Sequence, residues 1–419
     1  MKSPLILITA HYPYNQSETF VEQELLYLAQ SFEVTIISRT NQIKTTREVP
    51  KNVKIVNFPS KISFINNLLF ILQLIFTKYD VLKSLYHFEK NEAERLNTNL
   101  NFKLKKKIVH DAIKGLYFSH QLEDFIKEQK FPLPPVLYSY WMGNDALGVA
   151  LCPIKTVKIA KIHGGDLFFD RKPLHYQTFQ QYKLNHLDRL YFISDKGKEY
   201  WEQTIGKSDK LEVCKLSTPI QFFLEPNEKR SEKLIVSCAN IIPLKRLDFM
   251  VKALAQVKNI SFKWVHFGDG TERKTIEQLA QQELGNQPNI QFEFKGRIPN
   301  AEILNYYIQN SPDLFIHTSE NEGCPVSIQE AISFGIPVIA IDAGGVGEVV
   351  SEKNGFLLLI NASPEEFAQQ ITIFFEKTPE ERNILRKNSF ALWNENHHPV
   401  INNHRFINSI KRLIVNDVQ

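Results

Sequence analysis

Glu322 and Glu330 lie within one stretch, Ser319-Glu320-Asn321-Glu322-Gly323-Cys324-Pro325-Val326-Ser327-Ile328-Gln329-Glu330-Ala331. The apolar run Asp313–His317 before it reads as a strand, so the stretch falls at that strand's carboxyl end. Pro325 suits the first turn of a helix, where its missing N–H would be unpaired anyway. Gly323 lets the backbone approach a ligand closely. A helix starting there points free N–H groups and its dipole at an anion. Glu322 then precedes the helix, and Glu330 sits about one and a half turns inside it. Carboxylates so placed do not form an acid/base pair across one bond. They suit hydrogen bonds to hydroxyls at two separated parts of a long ligand. In the first half, His163 opens His163-Gly164-Gly165-Asp166 after the apolar run Val157–Ile162. A histidine there can hydrogen-bond a hydroxyl or a phosphate, and the glycines allow a tight turn. Taken alone, it serves equally well as a turn cap.

These residues need a frame. Strand candidates are Leu5–Thr9, Val34–Ser38, Val53–Val56, Val136–Tyr140, Val157–Ile162, Arg189–Ile193 and Leu211–Leu216, with amphipathic segments such as Glu18–Ser31 and His110–Gln129 between them. Apolar strands alternating with helices indicate a parallel sheet covered on both faces. Residues 219–233 carry two prolines and a charged cluster and read as a linker. The pattern restarts with Leu234–Cys238, Ser261–Phe267, Ile290–Phe294, Asp313–His317, Val338–Ile341 and Phe356–Leu359. The expectation is α/β: two Rossmann-like, doubly wound domains, 1–222 and 230–395, facing across a cleft, with a helical segment 396–419 packing back on the first. In such sheets ligands bind at the carboxyl ends of the strands, at the switch point.

The bulk numbers agree with two domains: 419 residues exceed what one core usually organises. A net charge of +4 gives no footprint for nucleic acid. Cys152, Cys214, Cys238 and Cys324 form no C-x-x-C pair or metal spacing, so reduced thiols and a cytoplasmic setting are expected. Ile62–Phe76 is apolar but falls short of the roughly 20 residues a membrane span needs.

The 319–331 stretch resembles the E-x7-E signature of family 4 retaining glycosyltransferases, which have the two-domain GT-B fold. Further blocks extend the resemblance over roughly 234–360: His266-Phe267-Gly268-Asp269-Gly270, Lys295-Gly296-Arg297-Ile298, Gly335-Ile336-Pro337-Val338-Ile339-Ala340, Ala343-Gly344-Gly345-Val346-Gly347-Glu348-Val349-Val350 and Asn354-Gly355-Phe356-Leu357. The resemblance implies that Glu322 contacts donor-sugar hydroxyls, Glu330 the ribose, and Lys245 of Ile242-Pro243-Leu244-Lys245 the diphosphate. A lysine offers a compact charge for a leaving nucleoside diphosphate. Gly323, Cys324, Pro325, Val326, Gly268 and Arg297 would line the donor. Where the family usually has Gly-Arg after the preceding strand, this chain has Ala239-Asn240. Asn240 then stands at the donor, and the adjacent Arg246 is the candidate replacement cation. His163 matches the family's H-G-x-D histidine, which reaches the reacting sugar.

Tyr12-Pro13-Tyr14-Asn15-Gln16-Ser17-Glu18-Thr19-Phe20 replaces the Gly-Gly loop of many relatives and resembles a P-x-x-x-S-E-T-F variant of cell-surface polysaccharide transferases. Tyr12, Glu18, Thr19 and Asp166 are the acceptor-side candidates, with Ser17 as the helix N-cap. The implied activity is retaining transfer from a nucleotide sugar, bound as substrate with no cofactor, to a glycan or polyprenyl-linked acceptor of capsule or O-antigen type. No D-x-D pair is present, so metal-independent transfer is expected. Lys103, Lys105, Lys106 and Lys107, with Ile62–Phe76 upstream, would support peripheral contact with the inner face of an anionic membrane; a solvated helix face and a core helix are the plain reading. The alternative function is a catalytically silent nucleotide-sugar-binding subunit of a transferase pair, which the Ala239-Asn240 departure favours.

Overall fold

The computed structural model describes residues 2–15, 18–42, 44–59, 77–172, 174–227, 230 and 232–418. Ser17 and the Ile62–Phe76 stretch lie outside the described residues. The chain divides into two compact units: one runs to Cys214 and resumes at Asn403, and the other is Lys215–Asn402.

The first unit is built on a seven-stranded sheet: β1 (Pro4–Thr9), β2 (Glu33–Ser38), β3 (Lys54–Asn57), β4 (Val136–Ser139), β5 (Lys158–Ile162), β6 (Arg189–Phe192) and β7 (Leu211–Val213), in the order β3-β2-β1-β4-β5-β6-β7. Each neighbouring pair is parallel. Side chains alternate between faces, as a pleated strand dictates. Ile6, Ile8, Leu137, Ala160 and Phe192 enter one core, and Leu5, Leu7, Val136, Tyr138 and Tyr191 enter another. Both faces are therefore buried, which explains why these strands are mostly apolar. The helix Pro399–Val418 supplies Phe406, Ile407 and Ile410 to the second of these cores. It is fastened by polar contacts too. The buried Lys161 ammonium pairs with Glu24 and lies 4.4 Å from the Phe406 ring centroid, while Tyr191 and Ser409 share a 2.8 Å hydrogen bond.

The second unit carries β8 (Lys233–Cys238), β9 (Phe262–Phe267), β10 (Ile290–Gly296), β11 (Leu314–His317), β12 (Val338–Ile341) and β13 (Gly355–Leu358), all parallel, in the order β10-β9-β8-β11-β12-β13. Ile235, Trp264, Leu314 and Ile316 face one core; Val236, Val265, Phe315 and Val338 face the other. The two doubly wound sheets bear out the expected fold class, and the strands fall where the apolar runs place them. The boundary between units falls at 214/215, not at 222. The proline-rich stretch packs on the second unit: Leu224 is buried there, its N–H donates to Phe334 at 3.1 Å, and its carbonyl accepts from Arg386 at 3.0 Å. The four cysteines are free. Among the described residues no helix is long and apolar enough to cross a membrane.

Candidate active site

Strand order makes one place in each sheet special. In the second unit β8 continues to β9 on one side, and β11 lies on the other. The carboxyl ends of β8 and β11 therefore mark the strand-order reversal, the place where such sheets bind ligands. Lys245 comes from the first loop and Glu322 from the second.

The structure brings these two together. Lys245 Nζ donates to Glu322 Oε1, and His317 Nε2 lies 3.1 Å from the same oxygen. All three side chains are largely shielded, at 18% exposure for Lys245, 13% for Glu322 and 4% for His317. Burial works against the ionised form of Glu322, but His317 and then Lys245 more than offset it, holding the carboxyl well below its usual range. The end of β11 anchors both loops. Thr318 Oγ1 donates to the Lys245 carbonyl at 2.9 Å, and the Glu320 N–H donates to Leu244 at 3.0 Å.

The glycines around the cluster are close-approach positions. Gly344 has φ +60, and a Cβ on it would lie 2.0 Å from the Glu322 carbonyl oxygen. The next N–H, of Gly345, donates to that oxygen at 3.0 Å. Gly268 has φ +146, and its Cβ would lie 1.8 Å from the Ala239 carbonyl. Its requirement is thus backbone packing between the ends of β8 and β9.

Glu330 lies on the helix Val326–Ile332, whose N-cap is Pro325. The Pro325 carbonyl accepts from Ile328 and Gln329, and Gln329 Nε2 contacts Cys324 Sγ at 2.5 Å, tying the Gly323–Val326 turn to the helix. The Glu330 carboxyl is buried, and Asn300 Nδ2 donates to its Oε1 at 2.8 Å. Burial raises its pKa to about 7, and the Asn300 bond only partly opposes that rise.

The remaining donor-side candidates divide. Asn240 and Arg297 are exposed beyond the carboxyl ends of β8 and β10. Arg246 is turned away from Glu322. Its backbone is left-handed at φ 50, its guanidinium lies 4.5 Å from the Phe249 ring centroid and 3.9 Å from Glu320, and it donates to the Ile360 carbonyl. The Arg246 guanidinium is thus engaged by Phe249, Glu320 and Ile360 rather than by Glu322. Lys245 is the Lys or Arg recorded on Glu322 among the described residues.

In the first unit the strand order reverses between β1 and β4, and that place is filled. Glu18, at the N-cap of the helix Thr19–Ser31 with a left-handed φ of 60, turns its carboxylate back onto the loop after β1. It accepts from the Ala10, His11 and Tyr12 N–H groups at 3.1, 2.7 and 2.7 Å and from the Trp141 indole. Successive N–H groups pointing one way form an anion-binding concavity, and here the chain's own carboxylate occupies it. Tyr12 is buried with its hydroxyl on the Glu48 carbonyl.

The His163 ring is stacked among Phe20, Tyr140 and Trp141, with centroids 5.1, 5.0 and 4.5 Å away. Burial, then the Lys161 charge, lowers its pKa to about 3, so it stays neutral. Its Nε2 is buried and has no hydrogen-bond partner among the described residues. Asp166, expected on the acceptor side, is spent on the backbone: it accepts from the His163 N–H at 2.7 Å and from the Met142 N–H. The aspartate of the H-G-x-D block therefore fixes the turn that carries the histidine.

Sequence reasoning missed His317, Asn300 and Trp141. His317 carried a signal, as a polar residue closing an otherwise apolar buried strand. Asn300 and Trp141 carried none, because their partners lie 30 and 123 residues away.

Two doubly wound parallel sheets in one chain, each with its loops gathered at a strand-order reversal, are the GT-B architecture. Residues 220–391 match the family described as glycosyl transferases group 1, and the chain carries a domain of that family. An O-antigen biosynthesis glycosyltransferase of Escherichia coli is 24% identical over 45% of this chain and 51% of its own length. The chain spans about half the length, or less, of the curated relatives it matches. Among solved structures, a lipopolysaccharide outer core galactosyltransferase, WaaB, superposes with a TM-score of 0.68 at 15% identity, covering 98% of this chain and 99% of that one. HepE from Anabaena in complex with UDP-glucose superposes with a TM-score of 0.63 at 14% identity, covering 98% and 100%.

Proposed function

We propose that this chain is a glycosyltransferase that moves a sugar from a nucleotide-sugar donor to a glycan or polyprenyl-linked acceptor in cell-surface polysaccharide synthesis, retaining the anomeric configuration and using no metal. The observation that carries the reading is the Lys245–Glu322–His317 cluster at the strand-order reversal of a glycosyl transferases group 1 domain. Lys245 neutralises the leaving diphosphate, Glu322 holds donor-sugar hydroxyls, and Glu330 holds the ribose. His163, neutral, hydrogen-bonds a hydroxyl of the transferring sugar. Departure of the diphosphate leaves an oxocarbenium-like centre, and the acceptor hydroxyl attacks the same face. A leaving phosphate oxygen takes the acceptor's proton, so no protein nucleophile is required. The O-antigen relative supports the pathway class, and HepE with UDP-glucose supports the donor class.

Peripheral contact with an anionic membrane belongs to the same reading. Phe102, 81% exposed, opens the helix Phe102–Gln129 with Lys103, Lys105 and Lys106 exposed beside it. One observation favours a second reading, a silent nucleotide-sugar-binding subunit: Ala239-Asn240 stands where the family usually has Gly-Arg, and the Arg246 guanidinium is engaged by Phe249, Glu320 and Ile360.

The test is thermal stabilisation of the chain by UDP, GDP, ADP and CMP and their sugar conjugates, beside Glu330→Ala, followed by product analysis with acceptor. Stabilisation follows ligand concentration over affinity. One nucleotide family should raise the melting temperature, and Glu330→Ala should lose that response. No response from the folded wild type would sink the donor site; binding without turnover would favour the silent subunit.

A further inference from the structure

The cluster that carries the proposed function holds an internal contradiction. Lys245 is assigned to the donor diphosphate, yet its ammonium is engaged by Glu322 Oε1. A diphosphate must take Lys245 from that carboxylate. If Lys245 were the sole partner, its departure would strand a largely buried anion, which is strongly unfavourable. His317 resolves the contradiction. It closes β11, its ring is 4% exposed, and its Nε2 lies 3.1 Å from the same Oε1. With the proton on Nε2, the ring donates to the oxygen that Lys245 vacates. Both recorded donors converge on Oε1, which leaves Oε2 for a sugar hydroxyl.

We propose that His317 is a positioning residue that keeps Glu322 hydrogen-bonded while Lys245 transfers from Glu322 to the donor diphosphate. The backbone suits the exchange. Thr318 Oγ1, one residue on, donates to the Lys245 carbonyl at 2.9 Å and to the Arg246 carbonyl at 3.2 Å. The main chain of the lysine is thus fixed to β11 while its side chain moves. The inference rests on the proposed donor site and adds to it a residue with no assigned part.

A double-mutant cycle on nucleoside diphosphate affinity tests it, because such a cycle isolates the coupling of two residues from general loss of packing. UDP, GDP and ADP are titrated onto the wild type, and the tightest is then titrated onto His317→Leu, Glu322→Gln, the double variant and His317→Gln. In His317→Leu the carboxylate has Lys245 alone and retains it, so affinity should fall about tenfold. In the Glu322→Gln background no carboxylate competes for the lysine, and His317→Leu should change affinity by less than about twofold. His317→Gln keeps a side-chain N–H donor and should stay within about threefold of the wild type. An equal loss from His317→Leu in both backgrounds would assign the ring a packing role and overturn the inference alone. So would wild-type affinity in the single variant. Absence of binding by the wild type overturns the proposed donor site and this inference together.

Discussion

The two strand-order reversals of this chain use the same topology and end in opposite electrostatic states. Between β8 and β11, a lysine and a histidine converge on one oxygen of Glu322. Between β1 and β4, Glu18 is held by three consecutive backbone N–H groups and the Trp141 indole. In the first arrangement a cation from one loop meets a carboxylate from the other. In the second, the chain has supplied the anion itself, at the cost of a left-handed glutamate. Equivalent places in two similar sheets are therefore not equivalent sites. One pairs two side chains with a carboxylate, whereas the other fixes Trp141 against His163.

The sharpest way to break that comparison is turnover. Lys245→Ala and Glu322→Gln should each lower kcat by about 100- to 1000-fold, the range for removing a group aimed at developing charge. Glu322→Gln should still bind nucleoside diphosphate. Glu18→Gln should keep kcat within about tenfold of the wild type, since its carboxylate meets backbone and indole only. A Glu18→Gln enzyme as dead as Glu322→Gln would make both reversals catalytic and end the contrast.

Two buried carboxyls extend the contrast to pH. Asp166 in the first unit accepts from two backbone N–H groups, and burial leaves its pKa at about 6. Glu330 in the second has the Asn300 amide, and burial raises it to about 7 from the ordinary 4.5. Between those last two values the unfolded chain has lost the proton that the folded chain keeps, so stability falls as pH rises through the window. The charged form costs roughly 3 kcal/mol above it. Glu330→Gln should match the wild type at pH 4, gain on it as pH rises, and keep the gain above pH 7, read as the melting temperature of the second unit's transition. A constant difference across pH would show that Glu330 is not the titrating group.

Glu18→Ala should destabilise the first unit by about 2 kcal/mol, because it leaves three N–H groups and the Trp141 indole without their acceptor. An unchanged melting transition would mean that water replaces the carboxylate and that the loop does not depend on it.

These contrasts also mark what the sequence could disclose. The strands were legible because both faces of each sheet are buried, so β12 appears as an unbroken apolar run and β5 as apolar residues broken only by Lys158 and the paired Lys161. Lys245, Glu322 and Glu330 were legible because each follows a strand's carboxyl end within a short, ordered block. What each side chain touches was not. Glu18 and Asp166 have the composition of substrate ligands, yet their carboxylates are consumed by backbone N–H groups. Arg246 has the right charge one residue from Lys245, but its left-handed backbone turns the guanidinium onto Phe249. The proline-rich stretch carries the composition of a linker, but Leu224 anchors it in a core. In each case the deciding partner is remote in sequence or is a backbone group, and neither leaves a mark in local residue type.

Gly344 offers the smallest and most local test. The geometry gives Gly344, in the run Gly344-Gly345-Val346-Gly347, a defined task. Its φ of +60 brings it against the Glu322 carbonyl, and an added Cβ would stand 2.0 Å from that oxygen. The neighbouring Gly345 N–H holds the same oxygen, so the glutamate loop cannot retreat without losing that bond. Gly344→Ala should therefore cost about 1–2 kcal/mol in backbone strain. It should also displace Glu322 from Lys245 and His317. Because a displacement of about 1 Å can cost 100-fold in rate, turnover should fall far more than the melting temperature implies, with diphosphate affinity held or raised as Lys245 is released. A fall in diphosphate affinity matching the fall in turnover would instead make Gly344 part of a phosphate loop, and Glu322 would lose the support assigned to it here.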